Sequence, residues 1–196
     1  MTHYYSETQT SKPKLKKLKA NIRNFSFEIY TASGIFSPKR IDKGTLTLIE
    51  NMIIKGKTLD FGCGYGIIGL VASKLTKEQV YLTDINKRAC QIAELNLKIN
   101  NIKNAKVILG NLYEPVKNIK FDTILINPPQ TAGKEICLNM IKQAKKHLNK
   151  KGILELVARH NKGGKYLSQY MEQIFGNLKI ITKKAGYRVY LSENET

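Results

Sequence analysis

Residues 59–70 read Leu59-Asp60-Phe61-Gly62-Cys63-Gly64-Tyr65-Gly66-Ile67-Ile68-Gly69-Leu70, an apolar run that breaks on glycines and resumes with helix-like spacing. Glycine has no Cβ and tolerates positive φ, so such a turn lets a ligand approach the backbone closely at the carboxyl end of a strand. Gly64-Tyr65-Gly66-Ile67-Ile68-Gly69 fits the spacing G-x-G-x-x-G, a dinucleotide signature when it directly follows a strand. Two residues speak against a dinucleotide. Asp60 precedes the turn, and an anion there repels a pyrophosphate but suits a cationic or amino-bearing ligand. Asp84 ends the next apolar run, Val80-Tyr81-Leu82-Thr83-Asp84-Ile85, where a carboxylate can accept from both hydroxyls of a ribose. A nucleoside without phosphates satisfies both carboxylates.

Outward from this turn the chain has a regular rhythm. Short apolar runs at 57–61, 79–83, 105–109, 121–126 and 152–158 alternate with amphipathic stretches at 66–76, 86–100, 134–149 and 163–176. Strands alternating with helices at this pitch predict βαβ crossovers and a parallel sheet covered on both faces. Residues 177–182 and 186–191 are strand-like but separated only by Lys183-Lys184-Ala185, too few for a helical crossover, so they should pair antiparallel. An open α/β sheet with one reversed strand near its edge follows. Before it, residues 12–23 carry six basic residues and no acid, which reads as a basic arm. The arm leads into a small hairpin with Phe25, Phe27 and Ile29 on one face and Ser33-Gly34 at the turn. Leu46, Ile49 and Ile53 then take helical spacing over 43–54. Residues 1–42 thus form an extension and 43–196 the main domain of one compact unit of 196 residues.

A second chemical signal is Ile124-Leu125-Ile126-Asn127-Pro128-Pro129-Gln130, a buried strand that stops on Asn-Pro-Pro. Each proline fixes its own φ and biases the preceding residue toward extended geometry, holding the Asn side chain and the Pro128 carbonyl rigidly at the sheet edge. An exocyclic amine of a base is a poor nucleophile because its lone pair is conjugated with the ring. Two rigid acceptors gripping its N–H bonds favour the pyramidal form that attacks.

Thirty-three basic against fifteen acidic residues give a net charge of +18, an attraction for polyanions that makes nucleic acid the leading partner class. The stretch 136–171 holds eight lysines and arginines and only Glu155 as an acid, with Lys142, Lys145 and Lys146 opposite an apolar stripe of Cys137, Met140, Ile141, Ala144 and Leu148. Cys63, Cys90 and Cys137 are odd in number and lack metal-ligand spacing, so they read as reduced thiols and no metal is expected. His147 and His160 lack a catalytic context. No apolar run reaches the roughly 18 residues of a membrane span, and no signal-peptide core opens the chain, so a cytoplasmic protein away from membranes is expected.

Asp60 to Gly66, Asp84, Gly110-Asn111-Leu112-Tyr113-Glu114 and Asn127-Pro128-Pro129-Gln130 resemble the ordered motifs of class I S-adenosylmethionine-dependent methyltransferases. Gly34-Ile35-Phe36-Ser37, Asp42-Lys43-Gly44-Thr45 and Gly186-Tyr187-Arg188-Val189 are similar to the catalytic domain of small-subunit ribosomal RNA guanine-N2 methyltransferases and their small archaeal stand-alone relatives. The resemblance runs from about His3 to Leu191. It implies a Rossmann-like fold with a mostly parallel seven-stranded sheet, one antiparallel strand and an N-terminal β-hairpin. It also implies S-adenosylmethionine as cofactor and RNA as partner, ribosomal before transfer RNA. By the same resemblance Asp60, Gly62, Cys63 and Gly64 surround the methionine end of the cofactor. Asp84 holds the ribose, and Ile85, Asn111 and Leu112 hold the adenine. Asn127, Pro128 and Pro129 grip the target amine, with Asn127 also beside the cofactor. Gln130 stands where many amino methyltransferases place a stacking aromatic, so Phe36 is the candidate to stack on the base, with Gln130 and Arg188 as further substrate contacts. Adenine N6, protein glutamine N5 and a non-catalytic RNA-binding role for the fold are the alternatives.

Overall fold

The computed structural model describes residues 12–129 and 133–196. Seven strands, β3 (Thr58–Phe61), β4 (Val80–Asp84), β5 (Ala105–Leu109), β6 (Phe121–Ile126), β7 (Leu148–Arg159), β8 (Lys179–Lys184) and β9 (Tyr187–Glu193), form one sheet in the order β5-β4-β3-β6-β7-β9-β8. β3 to β7 pair in parallel, and β9 runs antiparallel to both β7 and β8. The expected α/β architecture with a single reversed strand is therefore the observed one. β9 is that strand, slotted between β7 and the edge strand β8.

Helices α1 (Lys43–Asn51), α2 (Ile67–Leu75) and α3 (Lys87–Ile99) share a core with one sheet face, and α4 (Lys134–His147) and α5 (Lys165–Phe175) with the other. Period-two alternation builds both cores from the same strands. Leu59, Phe61, Ile124 and Ile126 join the α4 side, while Leu82, Leu125 and Val157 join the α2 side. From β3 the chain moves outward to β4 and β5, then returns to lay β6 on the other flank of β3. That reversal opens a crevice at the carboxyl ends of β3 and β6, where open α/β sheets bind their ligands.

An N-terminal hairpin of β1 (Leu15–Ile22) and β2 (Phe25–Ala32) lies against α3. Its position corrects the sequence reading. The turn is Arg23-Asn24, both at positive φ, the mirror-type two-residue turn that matches strand twist, and not Ser33-Gly34. Most of the basic arm is β1 itself. Lys16, Lys17 and Lys19 stay exposed, while Leu18, Ala20 and Ile22 pack toward the core. Two helix-to-strand boundaries also move. α1 begins at its Asp42 cap and stops at Asn51, because Met52 leaves helical geometry (ψ 144°) and the chain turns to bring the Ile53 amide to Glu155, leaving Ile53 exposed. Leu148, expected to end the α4 stripe, is the first residue of β7 opposite Phe121. Among the described residues no helix is long and apolar enough to cross a membrane, and no cluster of His, Cys, Asp or Glu is placed to hold a metal.

Candidate active site

Phe61 of β3 lies opposite Ile126 of β6, so the two chains leave the sheet side by side and the glycine turn faces Asn-Pro-Pro. Between them is a cleft of about 1080 Å³, counting its open mouth. Phe36, Gly62, Cys63, Gly64, Asp84, Ile85, Asn111, Leu112, Asn127, Pro128 and Pro129 all stand in its wall, the set expected from the sequence with three exceptions.

The first exception is Asp60. Alternation along β3 sends Leu59 and Phe61 to the α4 side and Asp60 to the α2 side, so its carboxylate is 0% exposed and does not line the cleft. Oδ2 accepts from the Gly69 amide at 2.8 Å, while Oδ1 is buried without a hydrogen-bond partner. Burial, only partly offset by the Gly69 bond, pushes its pKa up to about 7. Asp60 thus holds the first turn of α2 from beneath. The second is Arg188, which sits on β9 between Ala158 and Lys183. It lies on the same sheet edge as the cleft but outside the wall. The third, Gln130, lies outside the described residues.

Asp84 organises the opposite wall. Oδ2 accepts from the Gly64 amide at 2.8 Å and Oδ1 from the Asn86 amide at 2.9 Å. Burial raises its pKa, and these amide bonds pull it back. Each oxygen keeps a lone pair for a ligand hydroxyl. A Cβ added at Gly64 would meet nothing within 4 Å, so the missing side chain leaves room in the cleft. Gly69 serves packing instead, because a Cβ there would stand 2.5 Å from Leu82. Asn127 donates from Nδ2 to Thr45 Oγ1 at 2.9 Å. Thr45, Ile136 and Met140 also line the wall, a place in the site that the sequence reading did not give them. The helix-capping spacing of Asp42 and Thr45 was the available signal for the first. The four-residue spacing that places Ile136 one turn before Met140 of the apolar stripe on α4 was the signal for the others.

The charge pattern of the wall is the informative feature. In a protein of net charge +18, the described residues of the wall include no Lys, Arg or His, and Asp84 is their one charged side chain. Phosphates would find no counter-charge there, whereas a ligand that is cationic and carries a ribose would. The basic groups sit outside it. Arg188, Lys165 and Lys183 gather near His160, whose pKa is lowered by desolvation and then by these three charges. His147 stacks on Tyr113 and meets the Ile119 carbonyl, a packing role, and the three cysteines are buried free thiols.

The family model described as methyltransferase small domain matches residues 26–191. Bacillus subtilis YbxB, described as uncharacterized, is 33% identical over 192 residues, covering 95% of this chain and 96% of that protein. Ribosomal RNA small subunit methyltransferase C of Haemophilus influenzae is 36% identical over 174 residues, covering 85% of this chain and 51% of that protein, so the chain spans about half the length of that relative. A Thermus thermophilus 16S rRNA N2 methyltransferase (RsmC), solved in complex with AdoMet and guanosine, superposes with a TM-score of 0.80 at 21% identity over 91% of this chain and 50% of that one. At that identity the match establishes a common fold.

Proposed function

This chain belongs to the methyltransferase small domain family, and from that membership we propose that it methylates an exocyclic base amine in RNA, guanine N2 of ribosomal RNA, with S-adenosylmethionine as donor. The observation that carries the reading is the cleft wall, in which Asp84 is the single charged side chain among the described residues and Asn127-Pro128 stands across from an open glycine turn. These residues fit the cofactor. The Asp84 lone pairs suit ribose hydroxyls, Ile85 and Leu112 offer apolar surface to an adenine, and Gly62 to Gly64 leave backbone exposed to the methionine end. When bound, S-adenosylmethionine supplies an electrophilic methyl group on a positively charged sulfur.

The protein's own work is orientation, charge placement and exclusion of water. Asn127 Oδ1 and the Pro128 carbonyl accept the two N–H bonds of the target amine and direct its lone pair at the methyl group. No strong base is needed beforehand, because the amine proton is lost easily once nitrogen has attacked. Phe36, half-buried at the cleft wall, offers a ring on which a base drawn out of its helix would stack in this reading. RNA as the substrate class is supported by the charge of +18, by the basic groups beside the cleft, and by the ribosomal RNA methyltransferases among the relatives.

The test is incubation with methyl-labelled S-adenosylmethionine and separate pools of undermodified ribosomal RNA, transfer RNA and protein, followed by mass analysis of nucleosides and residues. Label recovered as N2-methylguanosine in ribosomal RNA upholds the reading. Label in N6-methyladenosine or in glutamine keeps the methyltransferase and replaces the substrate. Failure to bind S-adenosylmethionine overturns the reading in favour of a non-catalytic RNA-binding protein.

A further inference from the structure

Resting on that methyl-transfer reading, we propose that Asp42 and Thr45 are positioning residues that lock the Asn127 amide with its nitrogen turned away from the substrate and its oxygen presented, so that the site takes a primary amine and turns away a carbonyl. Asp42 caps α1. Its Oδ1 accepts from the amides of Gly44 at 2.8 Å and Thr45 at 3.2 Å, and its Oδ2 accepts from the Thr45 hydroxyl. A carboxylate offers only lone pairs, so the one hydroxyl proton of Thr45 is committed to Asp42. The Thr45 oxygen can then only accept, and the part of Asn127 that faces it must be the NH2 group, as observed at 2.9 Å. Thr45 is 4% exposed, so its hydroxyl has little water to turn to in place of these partners.

The consequence is directional. Among the described residues no protein donor reaches Asn127 Oδ1, which is also not buried away from the cleft. An amide left to rotate would present NH2 for part of the time, a donor facing the donors of an amine. With the relay in place a rotated amide would set its oxygen against the Thr45 lone pairs, two acceptors with no proton between them. Selection of an amino group over a carbonyl is therefore written 82 residues away from Asn127, in the cap of α1, and is delivered to the end of β6 where the two elements meet at the cleft wall.

The experiment measures single-turnover methyl transfer to undermodified ribosomal RNA at saturating S-adenosylmethionine, the dissociation constant of S-adenosylmethionine, and the side-chain amide resonances of 15N-labelled Asn127, in the wild type, Thr45→Val and Thr45→Ser. Thr45→Val should lower the transfer rate roughly 10²-fold through misorientation of the amide, with cofactor affinity changed by less than about threefold. Its Asn127 amide protons should move toward the positions of an unbonded amide. Thr45→Ser keeps the hydroxyl and should restore both the rate and the resonances, which a purely structural loss of the Thr45 methyl would not permit. A Thr45→Val protein that transfers at the wild-type rate, or whose Asn127 resonances do not move, overturns the proposal. If the wild type methylates no RNA, the substrate reading fails on its own, and the Asn127 resonances still decide for or against the lock. If Thr45→Val does not fold, Thr45→Ser against Asp42→Asn decides by the same two readouts: a lock requires Asp42→Asn to shift the Asn127 resonances, and unmoved resonances overturn it.

Discussion

Asp84 and Asn127 both stand in the wall of the cleft, and the proposed reaction gives them separable tasks, one toward the cofactor and one toward the amine. Because Asp84 offers a charged acceptor, its loss removes charge-assisted hydrogen bonds, and Asp84→Ala should weaken S-adenosylmethionine binding by about 1.5–3 kcal/mol for each bond removed. Calorimetric titration checks this, and an unchanged affinity would remove Asp84 from the ribose. Asn127→Ala should leave that affinity largely intact while lowering turnover by about 10²-fold or more, since an acceptor aimed at the reacting nitrogen is lost. Comparison of single-turnover rates with cofactor titrations separates the two residues. Equal loss of binding and rate in both variants would contradict the division of roles.

At the scale of elements, α3 replaces a missing strand for the hairpin. The Asn96 side chain accepts from the Tyr30 amide at 2.7 Å and donates to the carbonyls of Tyr30 and Tyr65, both at 2.8 Å. One turn later Asn100 accepts from the Glu28 amide and donates to the Glu28 carbonyl. Two asparagines at i and i+4 thus bond the open edge of β2, and at Tyr30 Asn96 pairs backbone groups that would otherwise be shielded from water without partners. Asn96 is fully buried. Asn96→Ala should therefore cost on the order of 3 kcal/mol, from stranded amides and carbonyls. Denaturant unfolding measures the loss, and a cost under about 1 kcal/mol would mean that water replaces the asparagine there.

Across the whole molecule, electrostatics sets the pH response and, under the proposed function, the affinity for RNA. Glu155 is 0% exposed on β7. One oxygen accepts from the Ile53 amide at 2.7 Å and the other is buried without a partner. Burial, eased by the Ile53 bond and nearby Arg23, pushes its pKa from 4.5 up to about 8. Asp60 moves the same way, from 3.8 to about 7. Between the lower and upper values the folded state binds more protons than the unfolded one, so stability falls as pH rises. The contribution is complete below the ordinary carboxylate range and is lost by about pH 8. Glu155→Gln should flatten this fall between about pH 5 and 8 in thermal or denaturant unfolding, and an unaltered slope would show that Glu155 is already ionised in the fold. For the RNA reading, Lys183→Gln and Arg188→Gln, on the same sheet edge as the cleft, should weaken RNA binding across sequences and reduce the salt slope by about one for each phosphate no longer neutralised. Their effect on S-adenosylmethionine affinity should be negligible, because neither residue lines the cleft.

The order of strands and helices was legible in the sequence because period-two and 3.6-residue patterns are local, and a glycine turn followed by an acidic strand end is a local signature too. That Gly62 and Asn127 share one sheet edge also followed, since parallel strands with helical crossovers bring their carboxyl ends together there. Their standing side by side, in contrast, was set by the strand order that puts β6 next to β3. What escaped was whatever depends on which neighbour a side chain meets. The basic arm became β1 because Arg23-Asn24 could turn and α3 could satisfy the free edge of β2. Asp60 left the cleft because the pleat of β3 points it under α2. Thr45 entered the site because α1 docks its capped start against the end of β6. Sequence by itself determined the architecture and the chemical class of the site, through patterns carried within single elements. The tertiary structure alone decided which carboxylate lines the cleft, which side chain bonds the Asn127 amide and where the positive charge stops, because those depend on elements far apart in the chain coming together.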